Sequence, residues 1–412
     1  MQDEDFQKRL KTAIFIFVLI SACAGFYNGA VDSVISNYFK EAYDATAHQR
    51  GIIEVPREIP GIISLFVITA FSFLRDIRTA VIAQAFGIIG MVSLGLFHPS
   101  FGIMLIFLFM FSLGQHMFVP LGDSIGLSLT TRDNMGRVIG RFNSVRMAFG
   151  MIAGIICFFG FRTGFFHFET PILVFLLAAG AFLVCAILLL VMHRKVGREM
   201  ESHTDASKLV FRKEYIRYYV ICAIFGSRKQ IMFVFSPWVL IELLGFRADS
   251  MSILGVIGMF IGIFFIPFVG RLIDRFGSRK VMMIEAGCFV AIYIAYGALS
   301  KWVNEQTAVV SGLVLILVYL LYISDRMTMQ FYMVRSIYLK SIAIKPEDVT
   351  PSLSTGMAID HVLAIICALL CGMVWDAWGP EYVFVIAAIL SAVNFIVAFG
   401  IKKDAVVNRA AG

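Results

Sequence analysis

Phe225-Gly-Ser-Arg228-Lys229-Gln-Ile-Met-Phe-Val-Phe-Ser-Pro237 is the stretch on which the fold turns. It lies inside an apolar segment running from about Ile216 to Leu244. Arg228 and Lys229 fall roughly a dozen residues from the segment's start. That is about 18 Å along a helix axis, close to the centre of a hydrocarbon slab about 30 Å thick. Neither side chain snorkels easily to water from there. A cation at that depth costs at least ~3 kcal/mol. Two adjacent cations are tolerable only beside a wet cavity or buried anions, so this helix does not face lipid all round.

The rest of the 412-residue chain agrees. It is 59% hydrophobic and only 15% charged, and its mean hydropathy is +0.84. No soluble domain of this size has that balance. The apolar runs are of helix length rather than barrel-strand length, so the reading is an all-α integral membrane protein. The net charge of +7 sits in short loops between spans and gives no case for nucleic acid. Cys23, Cys157, Cys185, Cys222, Cys288, Cys367 and Cys371 all lie in apolar spans without metal or disulfide spacing, and read as small buried hydrophobes. The first apolar run is too long for a cleaved signal peptide and has no small-residue cleavage site after it, so it reads as a first span.

Twelve transmembrane helices are expected, at about 12–38, 50–74, 79–97, 101–130, 138–162, 170–193, 216–244, 250–273, 279–300, 307–339, 351–375 and 380–401. One set of loops carries Lys8, Arg9 and Lys11; Arg75 and Arg78; Arg132, Arg137 and Arg141; Arg194, Lys195 and Arg198; Arg271, Arg275, Arg279 and Lys280; Lys340 and Lys345; Lys402 and Lys403. The other set has little beyond Lys40, Arg50, Arg162, Arg247 and Lys301. The positive-inside rule then places both termini in the cytoplasm. The one long polar connection, 194–215, divides the chain into six-helix bundles at 1–193 and 216–412. The halves echo each other. Gly25-Phe-Tyr-Asn28 corresponds to Gly226-Ser-Arg-Lys229, and an offset of 210 residues lays Gln115-His116 on Asp325-Arg326. Polar pairs opposite polar pairs mark a duplicated unit, so the bundles are read as pseudo-symmetric.

Between spans eight and nine the chain reads Gly270-Arg-Leu-Ile-Asp274-Arg275-Phe-Gly277-Ser-Arg279-Lys280. Gly277 lets the chain turn after a helix end. Asp274 can accept from N–H groups at a neighbouring helix start and pair with Arg275 or Arg279, a clamp that forms in one conformation and releases in another. With two six-helix halves and a central loop, this motif resembles the major facilitator superfamily and its G-x-x-x-D-R-x-G-R-[RK] loop. The matching loop of the first half, Phe71-Ser-Phe-Leu-Arg75-Asp76-Ile-Arg78, keeps Asp76 and Arg78 but loses the glycines and the basic tail. The fifth span has Gly150-Met-Ile-Ala-Gly154 without the Gly-Pro pair of the superfamily's drug exporters. The resemblance implies the major facilitator fold and transport by alternating access. It also implies that spans one, four, seven and ten line a cavity, with three, six, nine and twelve as supports.

Several polar groups share the depth of Arg228 and Lys229. Tyr27 and Asn28 are in the first span, with Asp32 one turn further out. Gln115 and His116 are in the fourth, with Asp123 deeper toward the cytoplasm. Asp325, Arg326, Gln330 and, near the inner end, Arg335 are in the tenth. Asp360 and His361 are in the eleventh. In the second span Glu54 and Glu58 lie one turn apart, with Arg57 placed to pair with either, as a salt-bridge knot at the outer mouth or a gate. Asp123 and Arg146 suggest a structural pair, Arg335 a marker of the inner surface, and Glu285 has no assignable role. Tyr27, Trp238 and Tyr332 are aromatics that pack or touch cargo.

On the four cavity helices the charges near mid-depth are Arg228, Lys229 and Arg326 against Asp325, with His116 a further cation when protonated. Such a site needs an anion. The expected function is secondary transport of a small organic anion gripped by Arg228 and Lys229, a fork and a point charge. Coupling to a proton, or to sodium, would run through Asp360, His361 or Asp325. Two alternatives stand beside it. One is efflux of an amphipathic drug served by Glu54, Glu58 and Asp32. The other is a membrane sensor that keeps a transporter fold without turnover. No metal-ligand set, nucleophile motif or phosphate-cradling glycine loop points to an enzyme or a cofactor. A monomer in a bacterial cytoplasmic membrane is the expected setting.

Overall fold

A computed structural model of the chain describes residues 2–71, 73–130, 134–196, 211–305, 312–345 and 348–401. Most of the expected central loop, with Arg132, Arg198, Lys402 and Lys403, falls outside the described residues. Every regular element among the described residues is helical. The first six helices are α1 (Gln2–Tyr43), α2 (Ala47–Ala70), α3 (Asp76–Leu96), α4 (Phe101–Ser128), α5 (Met135–Arg162) and α6 (Leu173–Val196). Then come α7 (Ile216–Gln230), the three-residue α8 (Ser236–Trp238), α9 (Ala248–Glu305), α10 (Gly312–Thr328), α11 (Tyr332–Ile342), α12 (Val349–Trp378) and α13 (Pro380–Phe399).

Eight helices among the described residues are long and apolar enough to cross a membrane. The segments expected as the second, seventh and tenth spans are not among these eight helices. Helix α2 carries Arg50, Glu54, Arg57 and Glu58 within its 24 residues. The seventh expected span is α7 followed by a π turn Ile231–Phe235, α8, and a second π turn Val239–Leu243. Pro237 lies between the two π turns. It has no N–H to donate, and its ring clashes with the carbonyl four residues back, so the regular ladder opens there. The tenth expected span breaks at a 3-10 turn, Met329–Phe331, between α10 and α11. Spans eight and nine run as one 58-residue helix interrupted at Gly277, whose φ of 77° is open to glycine at little cost. The turn expected at Gly277 is therefore present.

The chain forms two compact units. One comprises Met1–Asp44, Pro56–Ala206 and Arg247–Val256; the other Ala45–Val55, Ser207–Phe246 and Ile257–Gly412. Each unit thus takes in a short segment from the opposite half of the sequence.

In the first unit α1 lies against α5. A Cβ on Gly25 would meet the Arg146 carbonyl oxygen at 2.0 Å, and one on Gly29 the Gly150 carbonyl oxygen at 2.4 Å. Without a hydrophobic force between helices in lipid, such backbone contact is what holds them together. Tyr27 stacks on Phe182 of α6 at 3.6 Å between centroids. Asp76 opens α3, where its charge complements the helix N-terminus, and it accepts from the Ser124 hydroxyl at 2.6 Å. Arg78 reaches His193 at 3.0 Å. Asp123 and Arg146, expected from sequence as a pair, make no ion-pair contact among the described residues, although the Arg146 charge acts on the Asp123 carboxylate.

In the second unit α7 packs on α12. A Cβ on Gly226 would lie 2.3 Å from the Asp360 carbonyl oxygen. The correspondence read between Gly25 and Gly226 is thus a shared packing role. The entry to α7 is tied down by Asp348, which accepts from Arg212 at 3.0 Å and from the Tyr215 hydroxyl at 2.9 Å. Burial, with the adjoining carboxylate, raises the Tyr215 phenol above its ordinary range.

Candidate polar site

Four consecutive residues at the end of α7 point to four different partners, as the 100° step of a helix requires. Ser227 back-bonds to the Ala223 carbonyl at 3.1 Å. Arg228 donates to Glu285 of α9 at 2.7 Å, and its guanidinium lies 4.3 Å from the Phe289 ring centroid. Lys229 reaches Asp360 of α12 at 2.8 Å. Gln230 donates to Glu54 at 2.7 Å. Arg228 and Lys229 thus each meet a carboxylate, which is how a bilayer-spanning unit tolerates buried cations.

Arg228 is only 2% exposed, and its Nη1 and Nε have no hydrogen-bond partner. It is packed away and neutralised by Glu285, the residue for which the sequence offered no role. The expected grip of Arg228 on cargo therefore does not match its setting: a guanidinium buried against a carboxylate and an aromatic ring is not open to a solute. Lys229 differs. It is half-buried, and its partner Asp360 is shared with Arg335 of α11 at 3.7 Å. Arg335 was expected as a marker of the inner surface. It is buried, with its guanidinium 3.5 Å from the centroid of Phe225 on α7. Two cations thus face one carboxylate. A cavity of about 10 Å³, lined by Tyr218, Cys222, Arg335, Ser336 and Asp360, lies beside them. It has room for about one water molecule.

The two breaks in helical geometry bring up the remaining groups. From the first π turn and α8, Phe233 lies under the Arg326 guanidinium at 5.1 Å, and Ser236 donates to Asp325 at 2.7 Å. Arg326 also donates to the Tyr322 hydroxyl at 2.8 Å. Gln330 sits in the 3-10 turn, half-buried, 3.6 Å from where a Cβ on Gly262 would stand. Irregular backbone at membrane depth persists where it is enclosed by protein, and in transporters it recurs beside binding sites. Trp238 is fully buried, as is Tyr27 on Phe182, so both pack rather than line open space. The Tyr332 side chain lies outside the described residues.

Glu54 pairs with Arg50 one turn earlier, not solely within the Glu54-Arg57-Glu58 group, and the pair is closed off at 1% and 2% side-chain exposure. The i, i+4 spacing of Arg50 and Glu54 was readable in the sequence. The Arg57 carbonyl accepts from Ser112 at 2.6 Å, and the same hydroxyl lies 3.2 Å from His116 Nδ1. Gln115 donates to Asn28, so these two expected ligands bond to each other. His361 is half-buried on α12. At the Gly277 turn Asp274 is exposed and forms no ion pair among the described residues. The expected clamp partners lie over aromatic rings instead: Arg275 over Phe276 and Arg279 over Phe399, both at 5.2 Å.

Solved structures share this architecture. A crystal structure of the nucleoside transporter NupG aligns with a TM-score of 0.73 at 14% identity, covering 95% of this chain and 100% of that one. A POT family transporter in complex with 5-aminolevulinic acid aligns at 0.72 and 12% identity, over 94% of each chain. A bacterial homologue of the iron transporter ferroportin, in an inward-facing state, aligns at 0.68 and 15%, over 95% and 99%. At such identities the likeness is one of fold. No curated protein matches the sequence. The family profile of the Major Facilitator Superfamily, however, matches residues 17–344, and the chain is a multi-pass membrane protein belonging to that superfamily.

Proposed function

We propose that the protein is a secondary transporter of a small organic anion, working by alternating access with twelve spans and cytoplasmic termini in a bacterial inner membrane. The observation that carries the substrate class is the single Asp360 carboxylate shared by Lys229 and Arg335. Lys229 and Arg335 both bond to this carboxylate, and an anionic group on the cargo can take its place on either of them. The adjoining 10 Å³ space is too small for a solute, so cargo must displace Asp360 from at least one cation. A proton on Asp360 does the same. Proton and anion then favour each other's binding, and linkage makes that coupling reciprocal. Arg228 is left to hold α7 against α9.

The test is uptake into proteoliposomes of a panel of carboxylates and organic phosphates with matched neutral analogues. Uptake of an anion, lost in Lys229→Gln and in Arg335→Gln at normal expression and fold, supports the reading. Preference for the neutral analogues, or full activity in both variants, sinks it.

A further inference from the structure

A second site lies in the first unit, at the end where α1, α3 and α5 finish, opposite the end that holds Asp76 and Arg78. A cavity of about 510 Å³ opens there, within the range of small-molecule pockets. Its floor is aromatic: Phe161, Phe166 and Phe168 each show less than a tenth of their surface. One wall is fixed in place. His98 stacks on Tyr43 at 5.0 Å, and the Tyr43 hydroxyl donates to the Pro99 carbonyl at 3.0 Å while accepting from Tyr38 at 3.3 Å.

The rim carries charge of both signs. Glu41 and Glu169 supply carboxylates and Arg247 a guanidinium, with His167 between the aromatic residues of the α5–α6 loop. Glu41 accepts from Asn37 at 3.3 Å and feels the charge of Arg247. The side chains of Glu169, His167 and Arg247 have no hydrogen-bond or ion-pair partner among the described residues. Opposite charges stand around one aromatic-floored space without closing on one another. That arrangement suits a ligand that brings its own pair of charges.

We infer that this cavity binds a small zwitterion with an aromatic or apolar body. Its ammonium lies toward Glu41 and Glu169, its anionic group on Arg247, and its body on the phenylalanine floor. Arg247 offers the planar fork that a carboxylate or phosphate matches, and the aromatic faces favour a nearby cation. A cation alone would meet Arg247 unfavourably, and an anion alone the two carboxylates. The inference is independent of the Lys229–Asp360–Arg335 reading, since it concerns the other unit.

Equilibrium binding of L-phenylalanine, phenethylamine and 3-phenylpropionate to the detergent-purified full chain tests it. L-Phenylalanine should bind at least about 10-fold tighter than either singly charged analogue. Glu169→Gln and Arg247→Gln, both at exposed positions, should each weaken it by about 10-fold without lowering the melting temperature. Lys229→Gln should leave it unchanged. No saturable L-phenylalanine binding, equal binding of the three probes, or loss in Lys229→Gln with retention in Arg247→Gln would overturn the proposal. Repeating the titration in nanodiscs separates the sources of the zwitterion. Binding present in phosphatidylglycerol but absent in phosphatidylethanolamine identifies a lipid headgroup as occupant. Binding present in both identifies a free solute.

Discussion

The backbones of Gly226 and Asp360 are in contact: a Cβ added to Gly226 would stand 2.3 Å from the Asp360 carbonyl oxygen and 2.8 Å from its Cα. This approach brings α7 and α12 together at the level where Lys229 meets Asp360. The atoms in the way are backbone and cannot rotate aside. Gly226→Ala should therefore push the helices apart and cost about 1–3 kcal/mol. It should also loosen the Lys229–Asp360 pair. A fall in melting temperature together with reduced transport is expected; an unchanged melting temperature would show that the helices do not cross there. The equivalent change at Gly25, which lies on the Arg146 backbone, should act similarly in the first unit.

The Arg228–Glu285 pair separates structural from cargo-binding charge. Glu285→Gln leaves a guanidinium buried with no counter-charge, at a cost of about 3–5 kcal/mol. Replacing both partners by apolar residues, Arg228→Met with Glu285→Leu, removes the uncompensated charge. It also removes the partnerless Nη1 and Nε, so stability should return to near that of the parent chain or exceed it. Transport by the double variant should survive. If the double variant is well folded and transport is abolished, Arg228 has a direct part in moving cargo, contrary to its setting.

Asp360→Asn imitates permanent protonation of the shared carboxylate. The Lys229 and Arg335 charges remain, so anion affinity should hold or rise. Coupling should be lost. Exchange of labelled for unlabelled anion across the vesicle membrane should continue, while accumulation driven by a proton gradient should stop. Gradient-driven accumulation at the parental rate in this variant would remove Asp360 from the coupling path.

Much of the fold was legible because burying charge in a bilayer is so costly that apolar runs, basic loops and the Gly277 turn leave few topologies. The site was less so. The depth of Arg228 could be counted along the chain. Its partner Glu285 depends on which face of α9 meets α7, and no spacing within either helix encodes that. Arg335 was read only from its place near the end of the tenth span. Its contacts with Phe225 and Asp360 depend on which face of α11 meets α7 and α12, and no spacing encodes that. Nothing in Met-Gln-Phe announces the 3-10 turn before it. Pro237, by contrast, was in plain view within the stretch that set the reading.

Pro237 makes the last prediction. It lies between the two π turns, where the chain has slipped from the regular i to i−4 ladder. Phe233 and Ser236, which meet Arg326 and Asp325, belong to this irregular stretch. Pro237→Ala restores a donor and removes the ring clash, so α7 can run on as a regular helix. The chain should then be as stable as before or more so. Each side chain beyond the former break should rotate about the axis, taking Ser236 away from Asp325. The expected outcome is an unchanged or raised melting temperature with transport reduced by about 10-fold, the loss traced to turnover rather than expression. Transport at the parental rate, with the helix shown to have become regular, would mean that the break serves packing alone.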